Sequence, residues 1–257
     1  MLGAIIQARM SSSRLPGKVL KEVNGQPILF YLWKRLCLST EIKKIVLATS
    51  KDSSDDCIAA WAKSNGILLY RGNLEDVLDR YYFAAKENNL DDVMRITADC
   101  PLIDSAICDQ LIRFYKKSCA DYAQLSPRFA EGLDCEVISF SALEKSKKEA
   151  RLPSERAHVT LYARNHPKEF RCVILENSSD DSRYRITVDN PEDFEVVSSI
   201  LSHFLKNGTL VTAFWPALRE FLDQNPALMK KNACITRNEG LQKSLLADQI
   251  PAAGDVL

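Results

Sequence analysis

Short apolar runs alternate with amphipathic helical patterns through the first half of this chain, and this alternation limits the possible folds most strongly. Four of the runs have the length and composition of buried strands: residues 4–6, 44–49, 67–70 and 93–97. Helical patterns follow them over residues 27–36, 53–65, 76–87 and 104–116. This rhythm predicts an α/β fold with a mostly parallel sheet that is covered by helices on both faces.

The second half of the chain has a less regular pattern. Strands are predicted over residues 134–139, 170–175 and 183–188, and helices over residues 141–150, 154–165 and 192–205. From residue 212 the pattern is helical, with breaks at Pro216 and Pro226. We therefore predict one α/β domain, residues 1–211, and a helical C-terminal extension, residues 212–257, with loosely ordered residues after Leu246.

Composition and charge disfavour several classes of function. The chain has 34 Lys and Arg against 34 Asp and Glu, a balance that is unusual for a general nucleic-acid or membrane-surface binder. No apolar run approaches the roughly 20 residues that span a bilayer, and Arg9 interrupts the short apolar N-terminus where a signal peptide would continue. The eight cysteines form no CxxC pair and fit reduced thiols. We expect a cytoplasmic protein with no nucleic-acid or membrane partner.

The polar loop after the first predicted strand carries three positive charges within ten residues. They are Arg9, Arg14 and Lys18, and serines at positions 11–13 add hydroxyl groups. Gly17 marks a turn that can expose backbone N–H groups. Arginine binds phosphate oxygens in a bidentate fork, and lysine supplies a point charge. The loop therefore predicts a polyphosphate site, although composition alone also allows a solvated basic loop.

Two aspartates each follow an apolar run directly and precede a proline turn. Asp99 lies in RITADCP and Asp189 in RITVDNP. Ligands of parallel sheets bind at the carboxyl ends of the strands, so both carboxylates are expected near the basic loop, where they could hold Mg²⁺ beside a polyphosphate. The alternative is that they only cap the following helices. Asp104 is the better capping candidate because it immediately precedes a predicted helix.

A site that holds a nucleoside triphosphate and Mg²⁺ supports two reaction types. Transfer of the γ-phosphoryl group usually involves a GxxxxGK[ST] loop, which the sequence lacks. Attack at the α-phosphorus with release of pyrophosphate suits the basic loop better. Arg14 and Lys18 would then neutralise the charge that builds on the departing pyrophosphate.

Several motifs resemble one known family. The segment QARMSSSRLPGKVL resembles the N-terminal signature of the cytidylyltransferases that make CMP-activated sugar acids, the CMP-KDO and acylneuraminate synthetases. It is nearest to the branch of the spore coat polysaccharide biosynthesis protein F. Six further motifs resemble that branch in the same order: RGNLEDVLDRYY, RITADCPLID, GLDCEVIS, RAHVTLY, RITVDNPEDF and RNEGLQKSL. The resemblance implies a Rossmann-like nucleotide-diphospho-sugar transferase sheet, with residues 1–211 as the nucleotidyltransferase domain.

The resemblance also implies roles for individual residues. The nucleotide-binding positions are Ala8, Arg9, Arg14, Lys18 and Asp99. The catalytic positions are Arg14, Lys18 and Asp99, and the Mg²⁺ ligands are Asp99 and Asp189. The sugar-binding positions are Arg80, Asp134, Glu136, Arg156 and His158.

Some of these assignments have structural alternatives. Arg80 could form an i,i+4 ion pair with Asp76 that is purely structural. Ala157 stands where the family pattern leads us to expect an acidic residue, which weakens the sugar-site assignment around it. His158 could be a packed histidine. Cys100 is rejected as a nucleophile, because no histidine lies near it in sequence and in-line attack by a hydroxyl needs no covalent intermediate.

The resemblance implies a Mg²⁺-dependent enzyme that transfers CMP from CTP to a sugar acid and releases pyrophosphate. Such a reaction serves surface polysaccharide or glycan synthesis, and relatives of this type tend to be homodimers. Two alternatives remain open at this point. One is a metal-dependent glycosyltransferase of the same fold that uses a nucleotide-sugar donor, and the other is a nucleotide-binding subunit without turnover.

Overall fold

The computed structural model describes residues 1–209 and 213–249. Its strands, in chain order, are β1 Leu2–Gln7, β2 Glu22–Val23, β3 Gln26–Pro27, β4 Lys44–Ser50, β5 Leu68–Gly72, β6 Asp92–Thr97, β7 Tyr122–Leu125, β8 Glu136–Ser139 and β9 Cys172–Leu175. Its helices are α1 Ile28–Leu36, α2 Asp56–Ser64, α3 Val77–Glu87, α4 Ser105–Lys117, α5 Phe140–Glu149, α6 Pro153–Ala157, α7 Leu161–Asn165, α8 Pro191–Lys206, α9 Trp215–Gln224, α10 Pro226–Met229 and α11 Glu239–Ala247.

Seven strands form one sheet in the order β5-β4-β1-β6-β8-β7-β9. Strands β5, β4, β1 and β6 pair in parallel, as do β7 and β9. Strand β8 pairs antiparallel with both β6 and β7. The predicted α/β fold with a mostly parallel sheet is therefore confirmed.

The helices cover both faces of this sheet, as predicted. Alternate side chains of β1 point to opposite faces, and Ile6 packs in a core with Leu32 of α1. Ile5 packs in a second core with Tyr81 of α3 and Leu143 of α5. The near-continuous apolar run of β1 reflects this burial on both faces.

The strand predicted over residues 183–188 is wrong. The segment crosses the edge of the sheet and has a single isolated bridge, between Glu131 and Arg185. The backbone N–H of Ile186 donates to the carbonyl of Glu131 at 2.7 Å. Ile186 and Val188 pack in a third core beneath α8 and α9. The alternating apolar residues therefore serve this packing and not a strand ladder.

Three smaller differences concern short elements. The strand predicted over residues 134–139 begins only at Glu136, and the helix predicted over residues 154–165 is divided into α6 and α7. Val159 lies between these two helices with a φ of 41°, a conformation that a right-handed helix excludes. Sequence analysis missed β7 and the β2–β3 hairpin, whose strands of four and two residues are too short to show a period.

The described part of the C-terminal extension is helical, as predicted. Pro216 does not break it, because this proline lies in the first turn of α9, where no backbone N–H is needed. Trp215 and Leu222 of α9 pack in the same core as Ile200 of α8. The predicted boundary between residues 211 and 212 lies outside the described residues and stays a prediction. The loose order that is predicted after Leu246 concerns residues 247–257, most of which lie outside the described residues. Helix α11 continues to Ala247.

Across residues 1–209 and 213–249, no helix combines the length and the apolar character that crossing a membrane requires.

Candidate active site

Lys18 brings together two aspartates that lie far apart in the sequence. Its Nζ atom lies 2.7 Å from Oδ2 of Asp99 and 2.8 Å from Oδ1 of Asp189. Arg14 contacts the same Asp189 oxygen, with Nη2 at 2.8 Å. The predicted meeting of the basic loop with the two aspartates is confirmed, while their roles toward a ligand stay predictions.

The sheet explains why these loops meet. Gln7 at the end of β1 pairs with Thr97 at the end of β6, so the loops that follow both strands begin side by side. After β1 the chain turns at Gly17, whose φ of 70° favours glycine. The N–H of Gly17 donates to the carbonyl of Met10 at 3.0 Å. Lys18 then begins a short 3-10 helix and is buried.

Asp99 is ionised by its surroundings. Burial raises the pKa of its carboxyl, but the ammonium of Lys18 outweighs this effect and lowers the pKa to about 2. Burial likewise opposes the charge on Lys18, whereas Asp99 and Asp189 together raise the pKa of the ammonium. Asp99 and Lys18 therefore both stay charged at neutral pH.

Asp189 is positioned by a network around Arg185. Arg185 donates from Nη2 to Asp189 at 3.2 Å and from Nε to Asp193 at 2.8 Å. Its Nη1 lies 2.5 Å from the carboxylate of Glu131. Asp193 in turn accepts from the backbone N–H groups of Asp189 and Asn190, both at 3.0 Å. Asp189 thus sits at a fixed turn before α8.

Sequence analysis missed Arg185, Glu131 and Asp193 as positioning residues. In RYRITV, Arg185 falls on the polar side of the alternation, where a strand would expose it, so no local signal marks its role. The motif RNEGLQKSL carries no predicted site residue. In the structure, Glu239 of this motif forms an ion pair with Arg14 at 2.6 Å, and Arg237 forms one with Asp134 at 3.0 Å.

The other residues predicted to bind the nucleotide lie in the same loop. Ala8 is buried, and its N–H donates to the carbonyl of Ala48 at 3.1 Å. Arg9 is exposed, and within residues 1–209 and 213–249 it forms no ion pair. Arg9 is therefore accessible in the loop that carries Arg14 and Lys18.

Asp104 caps α4, as predicted. Its Oδ1 accepts from the N–H of Ala106 at 2.8 Å and from that of Ile107 at 3.2 Å. Asp99 has no such capping bond, since its carboxylate faces Lys18. The capping alternative therefore fits Asp104 and does not fit Asp99.

The predicted sugar-binding arginines have different surroundings. Arg80 is buried and donates from Nη1 to the carbonyl of Asn73 at 2.7 Å. The i,i+4 ion pair with Asp76 is not formed, because Asp76 pairs with Arg156 instead, whose Nε lies 2.9 Å from the carboxylate. The bonds of Arg80 to backbone carbonyls nevertheless fit a structural role, and its role toward a sugar stays a prediction. Asp76 also caps α3 by accepting from the N–H of Asp79 at 2.9 Å.

Glu136 and His158 lie in a buried polar cluster on one face of the sheet. Glu136 accepts from Nη1 of Arg95 at 2.5 Å and from the hydroxyl of Thr160 at 2.9 Å. His158 contacts Ser244 of α11 through Nε2 at 2.9 Å. Burial lowers the pKa of His158 to about 4, with a further contribution from the charge of Arg95. His158 is therefore neutral at neutral pH.

Asp134 lies at the turn before β8. Its carboxylate accepts from the N–H of Gly132 at 2.8 Å and from Arg237 at 3.0 Å. The predicted sugar-binding residues therefore do not form one contact group. They divide between the Asp76–Arg156 pair, the Glu136 cluster and the Asp134 turn.

Asp99 and Asp189 are the residues that could hold a metal ion. No group of three or more His, Cys, Asp and Glu side chains with metal-site geometry occurs in the described part of the chain. The two carboxylates share one cation, the ammonium of Lys18. This donor set fits Mg²⁺, which often takes one or two carboxylates and completes its ligands with phosphate and water.

Comparison with known proteins agrees with this geometry. A family model described as "Cytidylyltransferase" matches residues 3–209. The spore coat polysaccharide biosynthesis protein SpsF of Bacillus subtilis is 32% identical over 229 residues, which cover 86% of this chain and 94% of that protein. The 3-deoxy-manno-octulosonate cytidylyltransferase of Oleidesulfovibrio alaskensis is 32% identical over 119 residues, or 45% of this chain and 47% of that enzyme.

A solved structure extends the match to the whole fold. The structure of a cytidylyltransferase from Leptospira borgpetersenii has a TM-score of 0.82 at 36% identity, and the match covers 89% of this chain and 96% of that one. The family expected from the sequence motifs is thereby confirmed, including its spore coat branch. This chain belongs to the cytidylyltransferase family.

Proposed function

We propose that this protein transfers CMP from CTP to a sugar acid, with Mg²⁺ as cofactor and pyrophosphate as the second product. The product would serve surface polysaccharide or glycan synthesis. The observation that carries the proposal is the position of Lys18 between Asp99 and Asp189, with Arg14 on the same carboxylate. Two cations and two carboxylates at this edge of the sheet match the needs of a triphosphate and its metal ion.

The chemistry that we propose depends on charge. The acceptor hydroxyl loses its proton to solvent as its oxygen attacks the α-phosphorus in line. The bond from that phosphorus to the oxygen of the β-phosphate breaks, and negative charge builds on the departing pyrophosphate. Arg14 and Lys18 are placed to neutralise that charge. Bound Mg²⁺ would neutralise further phosphate charge and would be held by Asp99 and Asp189. Arg185 keeps Asp189 in place during this step.

A sugar acid is supported as the acceptor by one relative. The Oleidesulfovibrio alaskensis enzyme carries 3-deoxy-manno-octulosonate, the anion of a sugar acid, in its name. An acidic acceptor needs a cation in its site, and this chain places Arg95 beside Glu136 and His158. We therefore propose that the acceptor binds near that cluster, next to the triphosphate.

We also propose a compartment and an oligomeric state for the enzyme. All eight cysteines are free thiols, which supports a reducing compartment such as the cytoplasm. Ile174 on the edge strand β9 is 47% exposed, and such an apolar edge supports a homodimer. Sedimentation of the purified protein at several concentrations tests the dimer, because a constant monomer mass would contradict it.

The function is tested by assaying pyrophosphate release from CTP and Mg²⁺ with a panel of 3-deoxy-octulosonic and nonulosonic acids. We expect one acid to yield pyrophosphate and a CMP-sugar in equal amounts, and UTP to replace CTP poorly. No pyrophosphate with any acid, but release of a nucleoside diphosphate or monophosphate from a nucleotide sugar, would contradict the proposal. That result would identify a glycosyltransferase.

A further inference from the structure

The C-terminal part of the chain returns to the candidate site and lies over it. We name residues 232–248 the C-terminal strap. Its first residue, Asn232, donates to the carbonyl of Arg185 at 3.1 Å and to Asp193 at 2.9 Å. Asp248 at its other end accepts from the N–H of Ser154 at 3.1 Å. The strap is therefore anchored at both ends to elements that carry site residues.

Between these ends the strap is held to the loop that precedes β8. Arg237 donates from Nη1 to the carbonyls of Pro127 and Phe129 at 2.8 and 2.9 Å. The N–H of Asn238 donates to Glu131 at 3.2 Å, and Asn238 itself has a φ of 56°. This turn directs the first residue of α11, Glu239, toward the basic loop.

Glu239 forms an ion pair with Arg14, a side chain that is predicted to bind phosphate. Its carboxylate lies 2.6 Å from Nη1 of Arg14, while Asp189 lies 2.8 Å from Nη2. Both terminal nitrogens of the Arg14 guanidinium are thus taken by carboxylates. A triphosphate needs the same nitrogens, because arginine binds phosphate through this fork. A phosphate that binds through the same N–H groups therefore competes with these carboxylates.

The ion pair between Arg14 and Glu239 is suited to replacement of the carboxylate by a phosphate. The side chains of Arg14 and Glu239 are 26% and 32% exposed, so water screens the ion pair and weakens it. Glu239 also has a second partner, Lys243, at 2.5 Å one helical turn away. The carboxylate therefore keeps a counter-ion if it leaves Arg14.

We infer that Glu239 stands in for the triphosphate on Arg14 in the nucleotide-free protein, and that CTP displaces it and loosens the C-terminal strap. The inference rests on the proposed function, since it requires CTP at this site. Ser244 of the same strap contacts His158, so displacement of Glu239 also opens the acceptor side. The strap would thereby couple nucleotide binding to acceptor entry.

Calorimetric titration with CTP and Mg²⁺ tests the inference without any acceptor. We expect Glu239→Gln and Glu239→Ala to bind CTP about two- to fivefold more tightly than the natural protein, the range expected for loss of a screened ion pair. Glu220→Gln is the matched control, because Glu220 is exposed on α9 and its carboxylate contacts only Gln224 among the described residues. This control should bind CTP as the natural protein does.

Hydrogen exchange supplies a second measurement. Amides of α11 should exchange at least about twofold faster after CTP and Mg²⁺ are added, because the helix loses its contact with Arg14. Unchanged or weaker CTP binding by both Glu239 variants would overturn the inference and leave the proposed function standing, as would slower exchange in α11. No CTP binding by any of the four proteins would overturn the proposed function and the inference together.

Discussion

Lys18 explains how Asp99 and Asp189 can lie close together at a partly buried edge of the sheet. Two neighbouring carboxylates repel each other, and burial adds a desolvation cost to each. One ammonium shared between them offsets both effects, and its raised pKa keeps it charged at neutral pH. The same side chain is then positioned to meet the oxygens of a bound triphosphate.

Asp99→Asn should lower turnover with CTP and Mg²⁺ by roughly 100- to 1,000-fold, in the range found when one charge-stabilising group is removed. The carboxamide has the shape of the carboxylate but lacks its charge, so the fold should persist. The initial rate of pyrophosphate release measures the first effect, and the thermal unfolding midpoint measures the second.

Asp180→Asn is the matched control, because Asp180 is exposed and accepts from the N–H of Ser182 at 3.1 Å. It should retain the rate of the natural protein. An Asp99→Asn protein with most of its activity would show that the carboxylate is not a metal ligand.

His158 should make the free energy of unfolding depend on pH. Its pKa falls from 6.5 to about 4 on folding, so between these values the unfolded chain binds a proton that the folded protein does not. The free energy of unfolding therefore decreases as the pH falls from 6.5 toward 4. Urea denaturation at several pH values measures this dependence.

His158→Asn should flatten that pH dependence, since asparagine does not titrate. His203→Asn, on the exposed side of α8, should leave it as in the natural protein. Equal slopes for both variants would show that His158 is not the group responsible.

At the scale of elements, the segment over residues 183–190 decides where Asp189 lies. The N–H of Val188 donates to the carbonyl of Asp99 at 2.8 Å, so this segment fixes one aspartate against the other. Gly132 packs directly beneath it, with a φ of 106°. A Cβ atom at Gly132 would lie 2.5 Å from the backbone nitrogen of Thr187. No other residue type fits there without moving the segment.

Gly132→Ala should therefore lower the free energy of unfolding by about 3 kcal/mol or more, through backbone strain and overpacking. It should also weaken CTP binding, because Asp189 follows the displaced backbone. Chemical denaturation and calorimetric titration measure the two effects.

Gly25→Ala is the control that separates the effect of backbone strain from the effect of steric overlap. Gly25 has a φ of 76°, but a Cβ atom there meets nothing within 4 Å. It should cost only about 1–2 kcal/mol and leave CTP binding unchanged. Equal effects of the two substitutions would contradict the role given to the segment.

The elements also show how far sequence reasoning reaches. Strands β1, β4 and β6 were predictable because burial on both faces produces apolar runs followed by helices. Strand β5 was predictable from its apolar run, although Leu68 and Leu69 are exposed at the edge of the sheet. The segment over residues 183–188 has an equally apolar alternation, yet its side chains pack against α8 and α9 instead of entering the sheet. Periodicity reports which side chains are buried, and it does not report what buries them.

The same limit applies to the site. The positions of Lys18 and Asp99 could be predicted because their loops follow β1 and β6, and a sheet places its ligands at the ends of such strands. Asp189 also follows an apolar run, although that run is not a strand. The contact of Asp189 with Arg185 and that of Arg14 with Glu239 could not be predicted, because no local pattern encodes a partner elsewhere in the chain. The Arg14–Glu239 pair joins residues that are 225 positions apart.

At the scale of the whole molecule, the site is assembled from four distant parts of one chain. The N-terminal loop supplies Arg14 and Lys18, the end of β6 supplies Asp99, the segment over residues 183–190 supplies Asp189, and the C-terminal strap supplies Glu239. A change in any of these parts therefore reaches the others through shared ion pairs. Substitutions in this network are not expected to be additive.

Titration of the natural protein and of Asp99→Asn with CTP, with and without Mg²⁺, tests most directly whether these parts meet around a triphosphate and its metal ion. The account predicts that Mg²⁺ tightens CTP binding about tenfold or more in the natural protein and has little effect on the variant. The same CTP affinity with and without Mg²⁺ in the natural protein, or an undiminished Mg²⁺ effect in Asp99→Asn, would contradict it.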